Sequence, residues 1–259
     1  MNQAENPIGV FDSGVGGISA LQAMIRMLPQ EHFIYYGDTA NAPYGTKETG
    51  EVLACVRRVT GELLARDIKA LVIACNTATG AAAHTLRKEL TIPVIGMEPA
   101  LKPASEIRKN GEILVLATPL TLHQEKFNRL MEKYGEGALR VPCTGLMELV
   151  EREDWEGSSA YLKEVFALYD LRKVDAVVLG CTHYVFLKGM IREMLPERIA
   201  ITEGSEGTAR QLKRVLGRAH LLREDGDGSV ELKTSGTGKD LETMERLLQF
   251  GIPADPARE

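Results

Sequence analysis

The stretch IGVFDSGVGG at residues 8–17 joins an apolar strand to a glycine-rich turn, a combination that indicates an α/β fold. Turns of this kind often bind the phosphates of a nucleotide, because their backbone N–H groups and the following helix start favour an anion. Asp12 and Ser13, however, stand between the strand and the glycines, and a carboxylate there would repel a phosphate. The ligand of this turn must therefore suit an acid and a hydroxyl as well as glycines.

Length and composition describe an ordinary globular protein. The 259 residues include 44% hydrophobic residues, carry a formal net charge of −5, and are enough for two domains. No basic run occurs, so we expect neither nucleic acid nor a membrane as partner. The longest apolar runs, about eight residues, are too short to span a membrane, and the seven residues before the first strand leave no room for a signal peptide. Four scattered cysteines without a CxxC pair predict a reducing, cytoplasmic location.

Short apolar runs alternate with amphipathic helical stretches along the chain, which predicts mainly parallel sheets covered by helices. Ligands of such sheets bind outside the carboxyl ends of the strands, so residues that directly follow a strand are the candidates for function. The predicted strands are Ile8–Phe11, Phe33–Tyr36, Ala70–Ala74, Val94–Ile95, Ile113–Ala117, Leu139–Val141, Ala176–Leu179, Ile199–Thr202 and Val230–Lys233. The predicted helices include Lys47–Arg66, Thr77–Leu90, Gln124–Lys133, Ser159–Leu171, Gly207–Val215 and Leu241–Phe250.

Two pairs of segments recur at nearly the same spacing. IGVFDSGVGG and ILVLATPLT begin at positions 8 and 113, an offset of 105, and Cys75 and Cys181 follow two further strands at an offset of 106. The repeat predicts two similar α/β domains related by a pseudo-two-fold axis, with the active site in the cleft between them. We expect a first domain of residues 1–97 and 209–259, and a second domain of residues 98–208.

Cys75 and Cys181 are the strongest candidates for chemistry. Each precedes small polar residues at a helix start, Asn76-Thr77 in one case and Thr182-His183 in the other. That setting is expected to lower a thiol pKa from its reference of about 8.5 toward neutrality. Two opposed thiols suit the inversion of a stereocentre, because one acts as base while the other acts as acid, and the roles swap in the reverse direction. The remaining cysteines, Cys55 and Cys143, are expected to be small hydrophobic residues.

The sequence leaves other uses of these residues open. Two cysteines and a histidine also suit zinc, but zinc ligands usually come in close pairs and none exists here, so we expect no metal. Gly14-x-Gly16-x-x-Ser19 with Asp38 partly resembles a dinucleotide fingerprint, although Asp12-Ser13 interrupts it. Asp12 would alternatively serve only as a helix cap. A catalytically silent amino-acid-binding module would keep the same cleft.

Four motifs, GVFDSGVGG, YYGDTANAPYG, ACNTATG and GCTHY, together resemble the glutamate racemases of the aspartate/glutamate racemase family. The resemblance spans nearly the whole chain and implies two α/β domains with the active site between them. It implies cofactor-independent interconversion of L- and D-glutamate, with D-glutamate supplied to peptidoglycan. Homodimers are common in that family. Aspartate racemases share the fold and the cysteine pair but usually read GCTE, so His183 favours glutamate over aspartate as substrate.

The resemblance also implies residue roles. Cys75 takes the α-proton from D-glutamate with help from Asp12, and Cys181 takes it from L-glutamate with help from His183. Glu151, in the segment MELVE, aligns with a family glutamate near the second cysteine. The chain departs from the family pattern after Thr121, where LHQEKF replaces an expected valine and small polar residue. The implied substrate-binding residues are Asp12, Ser13, Tyr44, Gly45, Asn76, Thr77, Thr118, Thr121, Thr182 and His183.

Overall fold

The computed structural model describes residues 3–250, without the side chain of Phe250, so residues 1–2 and 251–259 of the predicted first domain lie outside it. Within residues 3–250, nine strands form two sheets in which every pairing is parallel. The strands are β1 (Ile8–Asp12), β2 (His32–Gly37), β3 (Ala70–Ile73), β4 (Val94–Gly96), β5 (Glu112–Ala117), β6 (Ala138–Pro142), β7 (Val174–Leu179), β8 (Ala200–Glu203) and β9 (Ser229–Thr234).

Helices connect the strands, as parallel pairing requires. They are α1 (Ile18–Met27), α2 (Thr49–Leu64), α3 (Asn76–Glu89), α4 (Leu101–Ile107), α5 (Pro119–His123), α6 (Glu125–Tyr134), α7 (Leu146–Glu151), α8 (Trp155–Ala167), α9 (Lys188–Met194), α10 (Ser205–Arg218) and α11 (Gly238–Phe250). None of the helices between residues 3 and 250 combines the length and the apolar character needed to cross a membrane.

The two sheets repeat one strand order. The first sheet runs β4-β3-β1-β2-β9, and the second, read from its other edge, runs β8-β7-β5-β6. The two strand orders superpose when β1 is matched with β5 and β3 with β7. These are the strand pairs that recur in the sequence. The predicted α/β class with two similar parallel-sheet units is confirmed. Strand β9 is the additional member, and it pairs with β2, so the C-terminal segment returns to the first sheet as predicted.

Both faces are buried along the inner strands β1, β3, β5 and β7, as expected for parallel sheets. In β1, Ile8 and Val10 point into the cluster covered by α1 and α10, while Phe11 points into the cluster covered by α2 and α3. Helix α10 follows β8 of the second sheet but packs on the first, through Leu212 and Leu216. The chain therefore crosses between the sheets after β4 and again after β8. The domain boundaries at residues 97/98 and 208/209 stay a prediction.

All nine predicted strands form, with ends within two residues of the expected positions. One helix is displaced: Ser159–Leu171 was expected, but α8 covers Trp155–Ala167. The reason is a side-chain cap, because the Asp154 carboxylate accepts a hydrogen bond of 2.8 Å from the backbone N–H of Gly157 and starts the helix there.

Candidate active site

The carboxyl ends of equivalent strands from the two sheets meet around one cavity. Asp12 is the last residue of β1, and Cys75 lies two residues beyond β3, as the N-cap of α3. Cys181 lies two residues beyond β7 and begins a short 3-10 helix, Thr182–Leu187. The cavity holds about 250 Å³ of space free of protein atoms, including space open to solvent. Its lining consists of Ser13, Tyr44, Gly45, Cys75, Asn76, Thr77, Thr118, Met147, Cys181, Thr182 and His183.

Cys75 is buried against a hydroxyl and a backbone amide. Its Sγ lies 3.6 Å from Ser13 Oγ and accepts a hydrogen bond of 3.4 Å from the Ala78 N–H. Burial, reinforced by the charge of Asp12, raises the pKa of Cys75 to about 12. The expectation of a lowered pKa is therefore wrong for this thiol, because the amide and the hydroxyl do not compensate for the loss of water. Cys75 is a thiol at neutral pH in this state.

Asp12 connects the two sheets. Its Oδ1 accepts a hydrogen bond of 2.8 Å from the Gly14 N–H, and its Oδ2 accepts one of 3.1 Å from the Thr182 hydroxyl. The carboxyl is fully buried, and burial raises its pKa to about 6 despite the charge of His183 and these two bonds. The helix-cap alternative is wrong, because α1 begins at Ile18 with Gly17 as its N-cap.

Cys181 is the first member of a thiol–imidazole–carboxylate series. Its Sγ lies 3.7 Å from His183 Nδ1, and His183 Nε2 lies 3.1 Å from Glu151 Oε1. Burial disfavours the imidazolium, but hydrogen bonds and charges from Cys181 and Glu151 outweigh it and raise the pKa of His183 well above its usual value. A protonated His183 is a counterion for a Cys181 thiolate, an arrangement that activates cysteines generally.

The glycine turn after β1 allows this series to approach the first sheet. A Cβ at Gly16 would lie 2.6 Å from both His183 Nδ1 and Thr182 Oγ1, and a Cβ at Gly14 would overlap Glu151 Oε1. A residue with a side chain at either position would push the second sheet's loop away. The glycines therefore allow the close contact between the loops of the two sheets.

Three buried threonine hydroxyls form a second contact between the sheets. Thr77 Oγ1, at the start of α3, lies 3.1 Å from Thr118 Oγ1 and 2.8 Å from Thr121 Oγ1, and Thr118 donates to Thr121 at 3.0 Å. The last two hydroxyls stand at the start of α5, on the second sheet. Because each hydroxyl can either donate or accept a hydrogen bond, the cluster can present a donor or an acceptor at one end of the cavity.

Comparison with known proteins agrees with this geometry. A model of the Asp/Glu/Hydantoin racemase family matches residues 8–212. The chain belongs to this family. It is an amino-acid racemase, an isomerase, and the resemblance drawn from the four motifs is confirmed.

Relatives cover nearly the full length of the racemase. A protein named glutamate racemase from Clostridium botulinum (strain Kyoto / Type A2) is 47% identical over 246 residues, which is 93% of this chain and 96% of the relative. The crystal structure of glutamate racemase isoform RacE1 from Bacillus anthracis matches with a TM-score of 0.85 at 33% identity, covering 95% of each chain. That of glutamate racemase from Francisella tularensis in complex with D-glutamate matches with a TM-score of 0.82 at 26% identity, covering 95% of this chain and 94% of that one.

The racemase brings all of the predicted site residues together. Three of them, Asp12, Thr121 and Glu151, stand outside the cavity lining and reach it through hydrogen bonds to Thr182, Thr77 and His183. The other predicted residues line the cavity itself. Sequence reasoning missed Met147, which lies on α7 inside MELVE and carries no signal beyond an apolar helix position.

Asp38 does not fit the role that the dinucleotide alternative gave it. Its buried carboxylate accepts hydrogen bonds from Tyr44 Oη at 2.6 Å and from Asn41 Nδ2 at 2.9 Å, and it pairs with Arg58. These bonds and one from Ser235 outweigh burial and hold the pKa of Asp38 below its usual value. Asp38 thus fixes the Tyr44–Gly45 turn that lines the cavity, and its own carboxylate is not left free for a ribose.

Proposed function

We propose that this racemase interconverts L- and D-glutamate by moving the α-proton between two thiols, Cys75 and Cys181. The observation that carries the proposal is their placement: the two cysteines follow equivalent strands, β3 and β7, of two sheets with one strand order, and both line one cavity. Glutamate as substrate rests on the relatives that bear this name and on the bound D-glutamate of the Francisella tularensis enzyme.

In the L-to-D direction, Cys181 as thiolate removes the α-proton and becomes a thiol, and the substrate becomes a carbanion. Cys75 as thiol then donates its proton to the opposite face and is left as thiolate. Each reaction therefore exchanges the protonation states of the two sulfurs, and the D-to-L reaction reverses them. The raised pKa of Cys75 suits its role as acid, and His183 with Glu151 suits a thiolate at Cys181.

Substrate recognition follows from the unused polar atoms of the cavity. Asn76 Oδ1 is buried without a hydrogen-bond partner, and an orphan acceptor of this kind suits the α-ammonium group. Asp12 lies outside the cavity lining and accepts a hydrogen bond from Thr182, which lines the cavity. Its carboxylate supplies negative charge close to the site. The hydroxyls of Ser13, Thr77, Thr118, Thr121 and Thr182 and the backbone N–H groups at Tyr44 and Gly45 suit the two carboxylates.

Charge that develops on the α-carboxylate in the carbanion needs donors already in place. The first turn of α3 and the 3-10 helix after Cys181 each direct backbone N–H groups toward the cavity end of their sheets. Such fixed donors stabilise a developing negative charge more than water does, since they need no reorientation during the reaction. No step of this scheme calls on a metal or a cofactor.

Four wider parts belong to the proposal. The family resemblance implies that the D-glutamate is for peptidoglycan and that the enzyme is a homodimer. The scattered cysteines predict that the enzyme works in the cytoplasm, and the sequence repeat predicts that residues 1–97 with 209–259 form one domain against residues 98–208.

The test is exchange of the α-proton with solvent. L-Glutamate is incubated with reduced enzyme in deuterated water, and the Cα–H signal is followed by NMR while circular dichroism follows optical activity. We expect both signals to decay, and L-aspartate run in parallel to react far more slowly. Retention of both signals with L-glutamate would contradict the proposal, as would faster decay with L-aspartate. A protein that only binds amino acids would leave the Cα–H signal intact.

A further inference from the structure

The side chain of Gln124 crosses from the second sheet's helices to the first sheet's α3. Gln124 lies between α5 and α6, is 8% exposed, and donates from Nε2 to the backbone carbonyl of Thr77 at 2.9 Å. It belongs to the segment LHQEKF at residues 122–127. The bond joins two backbone elements that are far apart in sequence, so it acts on the relative position of the two halves.

Gly80, one turn along α3 from Thr77, makes room for this side chain. A Cβ at Gly80 would lie 3.0 Å from Gln124 Nε2 and closer still to its Oε1 and Cδ. The amide of Gln124 thus lies directly on the glycine, in a groove that any larger residue would fill. Glycine is otherwise unfavourable inside a helix, by about 0.5–1 kcal/mol relative to alanine. The contact with Gln124 therefore explains why a glycine stands at position 80, inside α3.

The residue that Gln124 holds is central to the cavity. Thr77 is the second residue of α3, next to Asn76 and two positions after Cys75, and its hydroxyl belongs to the threonine cluster. A crevice lined by Asn76, Gly80, Thr121 and Gln124 runs behind this wall of the cavity. Displacement of Gln124 would therefore act on the helix start that carries one of the two thiols.

We propose that Gln124 and Gly80 form a latch between α3 and the α5–α6 junction, in which Gln124 is a positioning residue that keeps the cavity closed around Cys75 and Cys181. The catalytic role of the latch rests on the proposed function. Its effect on the exposure of the two thiols is measured without turnover. Both thiols are nearly inaccessible in the closed cavity, at 5% and 7% exposure. Opening of the latch must expose them.

Thiol labelling tests the latch. Substrate-free wild type, Gln124→Ala, Gly80→Ala and the double variant are treated with iodoacetamide, and the modification rate of each cysteine is followed by peptide mass spectrometry. Loss of one net hydrogen bond predicts labelling of Cys75 and Cys181 about five- to tenfold faster in each single variant. The double variant should label at the rate of Gln124→Ala, since the added methyl then no longer meets the amide of Gln124. Gly61→Ala, a helix position with no atom near the added methyl, should label as wild type.

Cys143 is the internal control, because it is 2% exposed and, unlike Cys75 and Cys181, does not line the cavity. Its rate should stay unchanged. The latch is wrong if Gln124→Ala leaves Cys75 and Cys181 at the wild-type rate, if Cys143 accelerates with them, or if the two substitutions add in the double variant. Deuterium exchange into glutamate by wild type is measured separately, so a failure of the proposed function is distinguishable from a failure of the latch.

Discussion

Replacing Glu151 by glutamine tests the link between charge and catalysis at Cys181. The substitution keeps the shape that packs beside Gly14 but removes the negative charge 3.1 Å from His183 Nε2. A hydrogen bond to a charged group contributes about 1.5–3 kcal/mol, and the Glu151 side chain is only 25% exposed, so water replaces little of that loss. If the imidazolium accompanies the thiolate in the transition state, kcat/KM falls about 10- to 100-fold.

The pH profile of the same variant gives a second result with a defined sign. In wild type, Cys181 and Glu151 raise the pKa of His183 against the effect of burial, so the imidazolium is present below that raised pKa and is lost as pH rises through it. Without the carboxylate the pKa of His183 falls. The alkaline limb of kcat/KM therefore moves to lower pH in the glutamine variant.

Circular dichroism measures kcat/KM for both enantiomers between acid and alkaline pH. L- and D-glutamate have equal free energies in water, so kcat/KM must fall by the same factor in both directions, which checks the assay itself. Glu153→Gln is the matched control, because Glu153 is two residues away and forms an exposed ion pair with Arg246. We expect it to behave as wild type. An unchanged kcat/KM with an unchanged alkaline limb in the Glu151 variant would refute the reasoning.

Three further predictions concern other parts of the molecule. Cys181→Ser should lose racemisation yet still exchange the α-proton of D-glutamate at Cys75, and Cys75→Ser should do the same with L-glutamate; NMR in deuterated water would reveal a wrong assignment if the enantiomers were swapped. Gly16→Ala should lower kcat/KM about 100-fold, because the methyl displaces His183, and overpacking of this buried contact should lower the free energy of unfolding by about 1–3 kcal/mol; near-wild-type turnover contradicts this. Lys69→Ala should lower the free energy of unfolding by about 3–5 kcal/mol in urea titration, since it leaves the buried carboxylate of Glu31 unpaired, and a loss below about 1 kcal/mol contradicts the buried ion pair.

The strands were predictable because a parallel strand buried on both faces is a short, continuous apolar run between polar segments. Helices α5 and α7 span only five and six residues and present too few turns for a helical period to be read. The repeat at offsets 105 and 106 was readable because matched strands place matched loops at one edge of a sheet. Burial of a side chain could not be predicted from such local patterns. For that reason the local sequence predicted a lowered pKa for Cys75, whereas burial raises it.

Contacts between the sheets were beyond sequence reasoning for the same cause. In the sequence, Gly16 resembles part of a phosphate-binding loop. In the structure, a Cβ at Gly16 would lie 2.6 Å from His183 Nδ1. Asp12 was predicted beside Cys75, and its charge does act on that thiol, but its hydrogen bond goes to Thr182 on the other half. Such contacts depend on how the two folded units pack against each other. The spacing of residues along the chain does not specify that packing directly.

The two halves share strand order, yet the groups around their cysteines differ. The position equivalent to Asp12 at the end of β5 is Ala117, and the position equivalent to His183 at offset 106 is Thr77. In the proposed reaction one sulfur must be thiolate and the other thiol, and both protonation states are needed, because each of them removes the α-proton of one enantiomer. Cys181 has an imidazole and a carboxylate, while Cys75 has a hydroxyl, an amide and a nearby acid. The shared strand order places both thiols on one cavity. In the proposed reaction, the asymmetry of the side chains decides how the resting enzyme divides between the two protonation states.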